Sequence, residues 1–64
     1  MKKIVIDTIR ESGLDPDIID PRAIEDFTTY LKLFCGSEIT MQELSELIES
    51  HSEVKTAFAS MTEL

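Results

Sequence analysis

The stretch from Asp20 to Gly36 constrains this chain more than any other. Ile24, Phe27, Leu31 and Phe34 recur at intervals of three, four and three, the spacing that aligns side chains on one face of an α-helix. Its start is marked twice. Asp20 is a good N-cap, and Pro21 suits the first helical position, where the missing N–H is not needed. Glu25 and Asp26 lie near the positive end of the helix dipole, and Gly36 supplies a stop. Ala23, Tyr30, Leu33 and Cys35 widen the apolar seam into a broad arc. A helix over residues 21–35 is therefore expected, with Phe27, Leu31 and Phe34 in the core and the rest of the chain wrapped around it.

The remaining segments read as helices too. In residues 2–12, Val5 and Ile6 stand four and three residues before Ile9, as on a helix face, while Ile4, Ile6 and Thr8 alternate as a strand would. A lone strand needs a partner, and no second strand signal exists. Helix is thus the expected state, ended by Gly13. Pro16 and Pro21 push their preceding residues out of helical geometry, so residues 14–20 form a crossing, with Leu14, Ile18 and Ile19 expected in the core. Thr40 and Glu43 make a capping box, flanked by Ile39 and Leu44 as a hydrophobic staple. The stripe that follows is Met41, Leu44, Leu47 and Ile48. Val54, Ala57, Phe58 and Met61 form a further face. Ser52 is a candidate cap for it, giving helices over 40–50 and 52–62; without a Gly or Pro at Ser50-His51-Ser52, one long helix is the alternative. The expected fold class is all-α, a small bundle of three or four short helices forming one domain over residues 1–64.

Length and charge narrow the function classes. A chain of 64 residues buries only about 60% of the surface that its unfolded form exposes, so an external support is expected. Cys35 is the single cysteine, which rules out an internal disulfide. Cys35 and His51 alone are too few for a zinc site. No cofactor is expected. Association with another polypeptide is the remaining support, and a homodimer through the wide apolar arc of residues 21–35 is the expected form. Thirteen Asp and Glu against six Lys and Arg give a net charge of −7. Nucleic-acid phosphates and anionic lipid heads attract Lys and Arg, so neither nucleic acid nor a membrane is an expected partner. The apolar run Ile4-Val5-Ile6 is too short for a secretory leader, and the cytoplasm is the expected location for a chain with one unpaired cysteine.

Three candidate chemistries fail on their residues. Glu43 resembles the last ligand of an EF-hand loop, yet the first, third and fifth ligand positions fall on Lys32, Phe34 and Gly36, which offer no carboxylate. Residues 41–58 have the rhythm of a helix-turn-helix, but the second helix carries one base, Lys55, and none of the Arg, Asn or Gln that reads base edges. Cys35 and His51 would form a nucleophile and base only if brought together, and Cys35 sits in an apolar run where a free cysteine is usually a small hydrophobe. No enzymatic activity is expected.

One surface feature invites a functional reading. Glu43, Glu46, Glu49 and Glu53 recur at three, three and four, a carboxylate stripe with little Lys or Arg nearby to relieve it. A solvated face accounts for such a stripe; a basic partner surface would exploit it. With Tyr30 and Leu33 on the flank of the apolar arc, these residues are the expected partner-binding set. The expected role is a non-enzymatic interaction module, a small acidic adaptor, inhibitor or antagonist of a larger protein with a basic surface. The alternatives are a small helix-turn-helix-like DNA-binding regulator and an acidic decoy of a nucleic-acid-binding site.

Overall fold

The computed structural model describes residues 1–63, all of whose regular structure is helical. Helix α1 spans Lys2–Glu11, a 3-10 turn Pro16–Ile18, α2 Pro21–Cys35, α3 Met41–Ser50 and α4 Ser52–Thr62. Helix α1 packs on α2 and α3, and α4 packs on the same two. The four helices thus close around one core of Val5, Ile9, Ile19, Ile24, Phe27, Leu31, Ile39, Leu44, Val54 and Met61. No helix of the described residues is long and apolar enough to cross a membrane.

Each boundary has a local cause. At the end of α1, Gly13 adopts φ +82°. Its N–H donates to the Arg10 carbonyl at 2.9 Å and that of Leu14 to the Ile9 carbonyl at 3.2 Å, the paired bonds of a Schellman stop, which needs a left-handed residue. Asp20 caps α2 by accepting from the Arg22 N–H at 2.9 Å, and Gly36 at φ +74° ends that helix. The capping box is complete: the Glu43 N–H donates to Thr40 Oγ1 at 3.1 Å, and the Thr40 N–H donates to Glu43 Oε1 at 3.2 Å. Both residues of the staple are buried, Ile39 and Leu44.

The chain breaks at His51, whose backbone is extended at φ −107° and ψ 111°. A single long helix would have placed Lys55 on the face of Leu44, since eleven residues make about three turns. The bend instead turns Val54 and Met61 into the core and leaves Lys55 exposed. His51, not Ser52, occupies the cap position of α4, and no side chain caps that end. Ser52 is the first helical residue.

Three apolar residues depart from expectation. Phe34 is 43% exposed, Leu14 37% and Ile18 56%. Phe34 belongs to the last turn of α2, beyond the part of the helix that α1 and α4 cover. Of the crossing, only Ile19 reaches the core; Leu14 closes the stop of α1, and Ile18 faces outward from the 3-10 turn. Thr8 and Thr28 are buried instead. Each hydroxyl donates to the carbonyl four residues earlier, Ile4 at 2.8 Å and Ile24 at 2.7 Å, so neither leaves an orphaned polar atom, whose burial would cost stability.

Two stability measurements check this packing. Leu31 is wholly buried, so Leu31→Ala should cost about 2–5 kcal/mol, whereas Phe34→Ala should cost far less; denaturant melts followed by circular dichroism compare the two. Thr40→Ala should cost about 0.5–2 kcal/mol by orphaning an N–H at the start of α3. Amide exchange at Glu43 should quicken in that variant, and unchanged protection would place the start of α3 elsewhere.

Candidate functional site

Helix periodicity decides which side chains of α2 are available to a partner. Each residue turns the helix by about 100°. Leu33 therefore points about 160° away from Leu31, and it is 81% exposed. Tyr30 and Phe34 share one turn and meet edge-to-face, their centroids 5.1 Å apart. Phe34 in turn meets the His51 ring at 5.8 Å. The result is an aromatic ladder that runs from the middle of α2 to the α3–α4 corner, with Leu33 projecting beside it. Edge-to-face geometry is the favoured arrangement for such rings.

Two grooves adjoin the ladder. On the Tyr30 side lies a shallow one whose lining includes Glu53, Thr56 and Ala57 from α4. Beyond Phe34, a cleft between α2 and α3 is floored by Phe34, Ile39 and Leu47 and rimmed by Glu38, Glu43 and Glu46, with Cys35 and His51 in its wall. An apolar floor edged with carboxylates is thus assembled from the last turn of α2, the connector to α3, and α3 itself.

The expected glutamate stripe is only partly continuous. A step of three residues falls short of a full turn by about 60°, so Glu43, Glu46 and Glu49 drift around α3 instead of lining one edge. Glu43 and Glu46 border the cleft, while Glu49 lies outside its lining. The break at His51 then carries Glu53 onto α4, next to Tyr30. All four carboxylates are exposed. The ion pairs among the described residues are Lys2–Glu25 at 3.6 Å and Arg10–Asp7 at 3.7 Å, so no cation within 4 Å neutralises the carboxylates around the ladder. Tyr30, half-buried, and Leu33, exposed, lie on neighbouring positions of the same stretch of α2. Phe34, Glu38 and His51 join this surface unannounced. Spacing alone places Phe34 in the core, whereas its position in the turn before Gly36 is the local sign that it is left uncovered.

Two side chains of this surface, Tyr30 and Cys35, are pushed toward their neutral forms. Partial burial pushes the Tyr30 phenol up from its ordinary pKa, and the neighbouring Glu53 carboxylate pushes it further. Burial likewise raises the Cys35 thiol, with the Glu43 carboxylate adding to the effect. Although Cys35 and His51 line one cleft, the thiol is therefore held protonated, the opposite of an activated nucleophile. Among the described residues, no group of three or more His, Cys, Asp or Glu side chains is placed to hold a metal ion.

No protein-family model, curated protein or solved structure matches this chain.

Tyr30 offers a direct check of the geometry. Ultraviolet titration should place its ionisation above the ordinary value of 10.0, and Glu53→Gln should lower it, though not fully, because burial remains. The sign for stability follows. A folded-state pKa raised above the unfolded one gives stability that is present below about pH 10 and lost as pH rises through the folded value. An unchanged Tyr30 titration in the Glu53 variant would separate the two side chains.

Proposed function

We propose that this domain is a non-enzymatic interaction module, a small acidic adaptor, inhibitor or antagonist that docks on a larger protein with a basic and partly apolar surface. The observation that carries the reading is the juxtaposition at the end of α2. Leu33 at 81% exposure and Phe34 at 43% stand among carboxylates that have no cation of their own within 4 Å. Buried apolar anchors surrounded by a polar rim are the usual anatomy of protein interfaces. Exposed charges around such anchors steer encounter and suppress wrong partners more than they set affinity.

The same charges bear on the competing occupants. A second copy of the chain would bring acidic rim against acidic rim, and the part of the apolar arc around Phe27 is already covered, since α4 packs on α2 and Phe58 meets Phe27 at 5.7 Å. A heterologous basic protein is the better match. Duplex DNA is the worse one: α3 and α4 form a helical corner, but α4 offers only Lys55 as a base, and phosphate binding depends on several such contacts.

Two sets of variants test the reading through rate and lifetime. Glu46, Glu49 and Glu53 changed together to Gln remove three charges while keeping size and helix propensity. The fold should survive, association with the captured partner should slow, and the rate should become less sensitive to salt. Glu43 stays untouched, since its capping role would confuse the outcome. Leu33→Ser with Phe34→Ala should instead shorten the lifetime of the complex. A partner whose association and dissociation rates are the same for all these variants would sink the proposal.

A further inference from the structure

The form of the partner element follows from what this surface lacks. All regular structure in the described residues is helical, so their backbone N–H and C=O groups are largely consumed within helices and no sheet edge is offered. An extended peptide laid across the aromatic ladder would find few main-chain partners, and its own backbone groups would be desolvated without compensation, at a cost of roughly 1–3 kcal/mol for each orphan. An α-helix satisfies its backbone internally and presents side chains alone, the mode in which an amphipathic helix lies on an apolar surface. The charge of its flanks is set by complementarity. Carboxylates stand at both ends of the ladder, Glu53 beside Tyr30 and Glu38 with Glu46 around the cleft past Phe34.

We propose that this surface receives a basic amphipathic α-helix of a partner protein, its apolar stripe on Leu33 and Phe34 and its flanking Lys or Arg residues against Glu53, Glu38 and Glu46. The proposal rests on the interaction reading above and deepens it by fixing the secondary structure and charge of the occupant. At the Phe34 end, a long basic side chain lays its methylenes over the apolar floor and keeps its charged head at the carboxylate rim, since such chains bury their stems readily. A guanidinium lying over the face of the Phe34 ring gains stacking and cation–π attraction besides, which favours arginine over lysine. The remaining apolar side chains of the partner cover Leu33, which otherwise stands in water. An anionic membrane is the wrong occupant, because the rim that attracts a basic helix repels anionic lipid heads.

The test uses a synthetic peptide of Leu, Lys and Arg about 18 residues long, above the length at which isolated helices are marginal. Its Leu residues are placed at i, i+3, i+4 and i+7. Two comparison peptides keep its composition nearly constant: one with the order rearranged to abolish the apolar face, one with a central proline that breaks the helix. Binding to the isotope-labelled domain is followed by amide chemical shifts and by peptide anisotropy at two salt concentrations. The amphipathic peptide should shift amides around Leu33, Phe34, Leu47 and His51 and gain helicity on binding. Both comparison peptides should bind at least about ten-fold more weakly, a difference of about 1.4 kcal/mol. Leu33→Ser should weaken the amphipathic peptide by a similar factor, and since Leu33 is exposed that variant keeps the fold. Glu38→Gln with Glu46→Gln should reduce the salt dependence.

Equal binding of the proline-broken peptide would overturn the helical occupant, as would peptide-induced shifts confined to a different face. No peptide binding, in a domain that still captures a partner through Leu33 and Phe34, would overturn this inference and leave the interaction reading standing. If capture is also insensitive to those residues, both fall. A concentration-dependent dimer in sedimentation that Leu33→Ser dissolves would make the occupant a second copy of this chain.

Discussion

Everything in this fold leans on the burial of one face of α2. Ile24, Phe27 and Leu31 are each at most 5% exposed and lie between α1 and α4, so the longest helix of the described residues positions α1 and α4, which in turn hold α3. Burial of such side chains contributes about 1.5–3 kcal/mol apiece, and a domain this small has a total stability of the same order as a few of them. A change that loosens this face therefore threatens the whole bundle, while Leu33 and Phe34 near the end of the same helix stand largely outside the core.

That division of labour along one helix is what makes a surface available. Around Phe27 the helix is enclosed by its neighbours; by Phe34 they have receded, and the α3–α4 corner meets that ring through His51. Apolar side chains left uncovered at a helix end stand where the backbone is still rigid, so they can serve as pre-organised anchors without ordering a loop first. The carboxylates nearby come from three different places: the connector, α3 and α4. Tertiary folding gathers them around the ladder, and the low count of Lys and Arg in the chain leaves them without local partners.

Sharp local signals govern how the helices are cut to length. Gly13 and Gly36 adopt positive φ where α1 and α2 end, a conformation that side chains with a Cβ resist. The Thr40–Glu43 box sets the start of α3 reciprocally. At His51 no such signal exists, and the helix breaks all the same, with no side chain capping α4. There the core makes the decision: the bend faces Val54 and Met61 inward and keeps Lys55 in water, which outweighs the backbone hydrogen bonds given up at the corner.

The sequence by itself determined what nearest-neighbour chemistry controls. The helical class, the spans of α1 to α3 to within a residue or two, the Asp20 and Thr40 caps and the burial of Phe27, Leu31 and Leu44 are all legible from spacing and capping residues, because those depend on side chains within one or two turns of one another. Only the tertiary structure decided which apolar residues stay outside. Phe34 and Ile18 are as hydrophobic as their buried neighbours, and spacing alone places both in the core; Phe34 is exposed because α1 and α4 do not cover the last turn of α2, and Ile18 because the 3-10 turn faces it outward. The same holds for the acidic rim. Glu43, Glu46, Glu49 and Glu53 read as one stripe along the chain, yet the drift of a three-residue step and the corner at His51 separate them, sending Glu43 and Glu46 to the cleft and Glu53 to Tyr30. Spacing along a helix fixes direction only relative to that helix; which direction meets a neighbour and which meets water is set by the packing of the other three.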